Sequence, residues 1–197
     1  MVKMWRPELE TLPREELIKR QLRLFRKQMK YVLEKSPFYR RKFGEAGVRP
    51  RDIRNLEDVR QVPFTTKQEL LKSQEDYPVF GDFPCIPPEA ATRVFQTSGT
   101  TGLPLKVPYS KKDWFKNCFE QFSYFIYGYG IESRDIVFFP FMYGLFIAWW
   151  GIQAALEQHQ VTIVPGGGQT SETRLRSIID WNATIVCGTP SYIIFLG

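Results

Sequence analysis

From Thr92 to Cys187 the chain alternates short β-branched and aromatic runs with longer stretches of helical period. Strands separated by ten or more helical residues cannot pair as hairpins and must be joined by crossovers. The spacing predicts strands over residues 92–96, 135–139, 161–164 and 184–187. Helices are predicted after Ser110, over residues 145–158 and over residues 172–181. Three βα repeats in series imply an α/β fold with a mainly parallel sheet and flanking helices. Residues 136–156 are 21 positions without a charge, close to the ~20 that cross a bilayer. Pro140, Gly144 and Gly151 interrupt them, so we read a buried strand followed by a buried helix and expect no membrane span.

Residues 1–90 read as a helical, irregular N-terminal subregion, and residues 91–197 as the βα-repeat portion. Leu17, Leu22, Phe25, Met29 and Val32 recur at helical spacing until Ser36-Pro37 stops the helix. Glycines and prolines then punctuate the chain to Pro88, with Thr66 a cap for a short helix over residues 67–71. Net charge is +6, and residues 1–60 carry 17 Lys+Arg against 9 Asp+Glu. Seven of those basic residues lie between Arg14 and Lys30, where the solvated face of one helix accounts for them. No aromatic or Gly-rich RNA motif accompanies them, and we expect no nucleic-acid partner. The first ten residues mix charge with Trp5 and Pro7 and form no signal-peptide core. Three cysteines are too few for a disulfide framework, which points to a reducing, cytoplasmic setting. Residues 192–197 are apolar without a polar face. Such a helix is normally covered, by a second copy or by further chain, so the chain alone is expected to self-associate, as a homodimer or larger species.

The segment that carries chemistry is Thr97-Ser98-Gly99-Thr100-Thr101-Gly102, directly after a predicted strand. Glycines let backbone N–H groups approach phosphate oxygens, and hydroxyls add donors of adjustable direction. It is not a Walker loop, since no Gly-Lys-Ser/Thr closes it and Pro104 follows. By itself the hexapeptide fits both a phosphate clamp and a polar surface turn.

Its context narrows the choice. Leu12-Pro13-Arg14-Glu15-Glu16-Leu17, Ser36-Pro37-Phe38-Tyr39-Arg40-Arg41-Lys42-Phe43, Glu45-Ala46-Gly47-Val48 and Val62-Pro63-Phe64-Thr65-Thr66-Lys67 precede the loop. Tyr143-Gly144-Leu145-Phe146, Val164-Pro165 and Thr189-Pro190-Ser191-Tyr192 follow it. In this order, over essentially the whole chain, they resemble the phenylacetate–coenzyme A ligase family of adenylate-forming enzymes, which join a carboxylate to ATP and then to a thiol. The resemblance implies part of the large N-terminal domain of such an enzyme. It implies that Thr97, Ser98, Gly99, Thr100, Thr101 and Gly102 clamp the β- and γ-phosphates of ATP with Mg2+, with Lys106 the nearest cation. It implies that Phe141, Tyr143 and Phe146 line an aryl-acid pocket, and that the intact protein uses an aromatic carboxylic acid, ATP and coenzyme A. The family's catalytic lysine and acidic magnesium ligand are expected beyond Gly197. No catalytic residue or metal ligand is therefore assigned here, and the chain by itself is expected not to turn over.

Two departures bear on those roles. Leu103 and Leu105 flank Pro104 where many relatives carry a lysine, and Ile147-Ala148-Trp149-Trp150 stands where the family tends to glycines. Two function classes stay open: a portion of a ligase, with an adenylyltransferase using another acceptor as its variant, and a non-catalytic binding or interaction module built on the same fold. His159 has no second ligand or nucleophile near it in sequence and reads as a surface-loop residue. Cys118 and Cys187 read as buried fillers.

Overall fold

The computed structural model describes residues 3–197 except 98, 100 and 101. The chain forms two compact units, one made of residues 7–111 and the other of residues 112–197 together with the first six residues.

The first unit opens with one helical turn, α1 (Pro7–Glu10), and the long α2 (Arg14–Lys35). Ser36 ends α2 and starts α3 (Pro37–Glu45), where its hydroxyl accepts from the Tyr39 N–H. Met29 of α2 and Phe43 of α3 meet Val48 and Ile53 in a small core, all at most 9% exposed, with Leu22, Phe25 and Val32 packed around them. The apolar stripe predicted for α2 is thus its buried face. Its lysines and arginines face water or make surface contacts, such as Arg26 donating to the Ile53 carbonyl.

Helix α4 (Lys67–Asp76) begins at Thr66, as the capping signal predicts, but runs five residues further than the sequence suggested. A reciprocal box closes its start: the Thr66 N–H donates to Glu69 at 2.7 Å and the Glu69 N–H to the Thr66 hydroxyl at 3.3 Å. At its far end the Ser73 hydroxyl donates to Asp82 at 2.8 Å and accepts from the Asp82 N–H at 2.9 Å. The unit ends in β1 (Ala91–Gln96) and β2 (Lys106–Ser110).

These two strands correct the sequence reading. Residues 92–96 do not open the parallel series. They pair antiparallel with Lys106–Ser110 as a two-stranded ribbon, Gln96 opposite Lys106 and Val94 opposite Pro108. The missed partner contains Pro108, which cannot donate to a ladder and argues against a strand in sequence. A strand paired on one side only tolerates it.

In the second unit a winding of π type (Asp113–Cys118) leads into α5 (Phe119–Gly128). The parallel sheet follows: β3 (Ile136–Phe139), β4 (Thr162–Pro165) and β5 (Ile185–Val186), in the order β4–β3–β5. Helices α6 (Ile147–Gln158), α7 (Ser171–Asp180) and α8 (Pro190–Leu196) alternate with the strands. Val137, Phe138 and Phe139 are at most 1% exposed, as a central parallel strand covered on both faces requires. The uncharged stretch 136–156 is divided between β3 and α6. Among the described residues, no helix is long and apolar enough to cross a membrane.

Two close approaches fix the layers. A Cβ on Gly151 of α6 would lie 2.3 Å from the Phe122 ring of α5, and one on Gly166 would lie 2.2 Å from Cζ of Phe138. Gly166→Ala therefore forces the central strand to shift and is expected to cost about 1–3 kcal/mol, read from the urea unfolding midpoint.

Lys42 and the Thr66 backbone both bond Glu69 and hold its carboxyl down at about 2, from an ordinary 4.5. Because the folded value is the lower one, this contribution is complete above about pH 4.5 and is lost as pH falls toward 2. Glu69→Gln is expected to flatten that part of the stability–pH curve. The effect is small and salt-sensitive, since the Glu69 side chain is 41% exposed. Urea titrations at pH 2.5 to 6 in low and high salt check it.

Candidate functional site: a hydroxyl-glycine loop and an aromatic stack

The ribbon of the first unit presents the loop. At its base the Thr97 N–H donates to the Leu105 carbonyl at 3.0 Å, and the Leu105 N–H donates to the Thr97 hydroxyl at 3.1 Å. The hydroxyl of Thr97 is thereby engaged in closing the loop, a role its position in the hexapeptide does not reveal. Within the loop the Gly102 N–H donates to the Gly99 carbonyl at 2.9 Å. Gly99 has φ +69° and Gly102 φ +138°, a region that residues with a Cβ rarely enter. A Cβ on Gly99 would also lie 3.0 Å from the Gly102 carbonyl oxygen. Ser98, Thr100 and Thr101 lie outside the described residues. Leu105 is buried, whereas Leu103 and Lys106 are exposed at the loop's exit. Leu103, Pro104 and Lys106 line a cleft of about 340 Å3 with Leu71, Gln74 and Val79.

Helix α4 reaches this exit. The Gln74 side-chain amide donates to the Lys106 carbonyl at 2.6 Å, and its oxygen accepts from the Lys106 N–H at 3.2 Å. Sequence reasoning missed Gln74, which stands 32 positions from its partner with no local signal.

The second unit holds the aromatic residues. Phe141 lies beyond β3, its ring stacked on Trp149 with centroids 4.8 Å apart and planes 6° apart, and 5.4 Å from the ring of Tyr192. Gly188 allows this approach, since a Cβ there would meet Phe141 Cε2 at 3.0 Å. Tyr192 is held by Arg174, whose Nη1 donates to the phenol oxygen at 2.6 Å, and by Ser171 at 3.0 Å. Those two bonds, Ser171 first, lower the Tyr192 pKa. The Arg174 Nε–H also donates to the Gly166 carbonyl at 3.1 Å, tying α7 to the glycine turn after β4.

Tyr143 packs between Phe139 and Trp150, at 6.1 and 4.9 Å between centroids. Trp150 is oriented by its Nε1–H, which donates to the Gly144 carbonyl at 2.8 Å. Both tryptophans of the departing segment therefore lie against predicted pocket residues, Trp149 on Phe141 and Trp150 on Tyr143. Phe146, the third, is 54% exposed at the start of α6. The Tyr143 hydroxyl is buried and makes no hydrogen bond among the described residues. Burial raises its pKa well above the usual phenol value, with Cys187 and Glu157 adding to the effect. Thr189 occupies the N-cap of α8, but its side chain makes no capping bond.

His159 is corrected from the surface-loop reading. It is half-buried, stacked on Phe119 at 5.0 Å and met edge-on by Trp5 at 5.1 Å. Its Nε2 is 2.8 Å from the Ser123 hydroxyl, which donates to the Phe119 carbonyl. The serine proton is thus committed to the backbone, and burial lowers the His159 pKa. The pair is a packing feature of the core. Its signal was out of reach because Trp5 and Ser123 are far from His159 in sequence. Cys118 is buried and Cys187 half-buried, with burial raising both thiol pKa values, in keeping with filler roles.

The fold matches that of solved acyl–coenzyme A ligases. A crystal structure of 2-hydroxyisobutyryl-CoA ligase in complex with 2-HIB-AMP and CoA aligns with a TM-score of 0.90 and 33% identity, over 96% of this chain and 40% of that one. An open conformation of that ligase gives a TM-score of 0.89 at 31% identity. The class is therefore the adenylate-forming ligase fold. In sequence the chain is 39% identical to the phenylacetate–coenzyme A ligase of Thermus thermophilus over 189 residues, 96% of this chain and 41% of that protein. It is 34% identical to the Escherichia coli enzyme of the same name, over 95% of this chain and 42% of the relative. No family profile matches. The homologues of this chain are thus phenylacetate–coenzyme A ligases of the adenylate-forming superfamily, and the chain spans about two fifths of their length.

Tyr143→Phe removes a buried hydroxyl that has no partner among the described residues, so it is expected to leave stability unchanged or to raise it by up to about 1 kcal/mol. Thermal unfolding of the two proteins side by side checks this.

Proposed function

We propose that the intact protein is an AMP-forming acid–thiol ligase, which activates an aromatic carboxylate with ATP as an acyl-adenylate and then transfers the acyl group to coenzyme A. The observation that carries this reading is the loop itself. Two glycines at positive φ, where residues with a Cβ are rare, follow a strand in a chain whose homologues are ligases of this class. Thr97, Ser98, Gly99, Thr100, Thr101 and Gly102 would form the clamp: the N–H groups of Thr97 and Gly102 are bonded to the Leu105 and Gly99 carbonyls, so these two would frame the loop while the residues between them offer N–H groups and hydroxyls to the triphosphate. Lys106, exposed at the exit, would add charge. Such a clamp holds the leaving pyrophosphate while the carboxylate oxygen approaches the α-phosphorus in line, so its contribution is positioning and charge stabilisation.

Magnesium would enter with the nucleotide. Among the described residues no cluster of three His, Cys, Asp or Glu stands ready for it, and we assign it no residues of this chain.

For the acid, the Phe141–Trp149–Tyr192 stack with Tyr143 and Phe146 offers flat apolar surface of the kind an aryl group packs on. The relatives named for phenylacetate support an aromatic acid, while the solved relatives are named for a branched hydroxy acid. Trp149 covers one face of Phe141, so the pocket is shaped by residues that depart from the family's small ones. The chain of 197 residues alone is proposed not to turn over. A reducing, cytoplasmic setting and self-association through the exposed Ile194 and Phe195 of α8 complete the reading; light scattering of the isolated chain tests the latter, a monodisperse monomer being the contrary result.

The full-length protein, given aryl acids, ATP and magnesium, is expected to release pyrophosphate, and Gly99→Val with Thr100→Ala is expected to lower kcat/KM for ATP by about 100-fold. Silence across a broad acid panel, or an unchanged rate in the double variant, would sink the ligase reading.

A further inference from the structure

We propose that Gln74 is a positioning residue for the hydroxyl-glycine loop: from α4 it takes the place of a third strand and sets where the loop exit and Lys106 point.

A two-stranded ribbon is marginal in water by itself, so a loop carried on one is only as fixed as its stems. One stem is closed across the ribbon by Thr97 and Leu105. In an antiparallel pair the next residue, Lys106, turns its N–H and C=O to the open edge, away from β1. Gln74 meets both of those groups, at 3.2 and 2.6 Å, as a neighbouring strand would. Its Nε2–H also reaches the Phe80 carbonyl at 3.3 Å, so a single amide joins α4, the segment after it and β2.

Helix α4 is itself held firmly enough to act as an anchor. Glu69 bonds Lys42 of α3, and Ser73, adjacent to Gln74, is 5% exposed and paired in both directions with Asp82. Asp82 in turn meets Arg41 of α3 at 2.7 Å. A Cβ on Gly81 would lie 2.5 Å from the Ser73 hydroxyl, so the segment passing behind α4 has no slack there. The chain of support runs from α3 through α4 and Gln74 to the exit of the loop. The bonds of Gln74 are to backbone groups of Lys106 and Phe80. Its effect is on the aim of groups that would meet the ligand.

The geometric part of this inference stands on the hydrogen bonds alone, and only its kinetic consequence rests on the ligase reading. The test is backbone hydrogen exchange of the full-length protein with Gln74→Leu and Gln74→Glu, alongside steady-state kinetics. In Gln74→Leu the Lys106 amide is expected to exchange about tenfold faster, roughly the value of one hydrogen bond, while amides of α2 keep their protection. In Gln74→Glu one carboxylate oxygen can still accept from the Lys106 N–H, but the other meets the Lys106 and Phe80 carbonyl oxygens with no proton between them, and this repulsion is expected to push the side chain off the edge and lower protection at neutral pH. Protection is expected to return as the acid is protonated near its usual pKa of about 4.3, a recovery that a side chain serving only as filler would not give. In the ligase assay KM for ATP is expected to rise about tenfold in Gln74→Leu, with KM for coenzyme A unchanged and kcat within about twofold.

Unchanged exchange at Lys106 in Gln74→Leu, or protection lost equally across α2, overturns the proposal, as does a KM for ATP that stays at the wild-type value while the Gly99→Val control lowers kcat/KM for ATP. If the Gly99→Val control itself leaves kcat/KM for ATP unchanged, the ligase reading fails and the exchange result alone decides the role of Gln74.

Discussion

Strand β3 is paired on both edges and covered on both faces, and the second unit is built around that condition. Its neighbours β4 and β5 run parallel to it, Phe138 opposite Val164 on one side and Val186 on the other. Parallel neighbours need crossovers, so α6 and α7 are required to return the chain, and α6 packs its buried Ala155 and Leu156 into the core around the strand. Phe139 packs with Ile126, Ala155, Leu156 and Val161. Phe138 presses on the backbone at Gly166, where any side chain would collide. The glycine turn after β4, the placement of Phe141 just past β3 and the Arg174 bond to the Gly166 carbonyl all follow from where β3 ends. This is the usual place for ligand-facing groups in open α/β sheets, beyond the carboxyl ends of the strands.

The first unit solves a different problem. Its loop is carried on an antiparallel ribbon whose two outer edges pair with no further strand among the described residues, and an open edge is both unstable and sticky. The molecule answers with a side chain in place of a strand. Gln74 satisfies the edge at Lys106, and the network of Lys42, Glu69, Arg41, Ser73 and Asp82 keeps α4 where it can do so. Among the described residues of the loop the Gly102 N–H bonds the Gly99 carbonyl, and the exit at Lys106 is held from the helix beside it. The same logic makes Thr97 part of the scaffold, its hydroxyl accepting from the Leu105 N–H.

What could be read in the sequence depended on the range of the signal. Helix α2, the stop at Ser36-Pro37, the cap at Thr66 and the strands of the parallel sheet all have cues within a few residues, and all were placed correctly to within their ends. The pairing of β1 is not legible in sequence, because its partner carries Pro108 and the hairpin loop is nine residues long, too long for a turn signature. His159 was misjudged because nothing near it announces Trp5 or Ser123. The resemblance groups Phe141, Tyr143 and Phe146 as lining one pocket, yet the structure gives them three environments: stacked, wedged with a buried hydroxyl unpaired among the described residues, and exposed.

By itself the sequence determined the alternation of strand and helix, the apolar faces, the caps and the hydroxyl-glycine loop, because each depends on backbone propensity and periodicity within one or two turns of chain. Only the tertiary structure decided that β1 turns back on β2, that Trp149 and Trp150 lie on Phe141 and Tyr143, and that a glutamine 32 residues away sets the edge of the loop. Those outcomes are choices between partners of similar local merit, and they are settled by which surfaces and polar groups remain to be satisfied once the rest of the chain has packed.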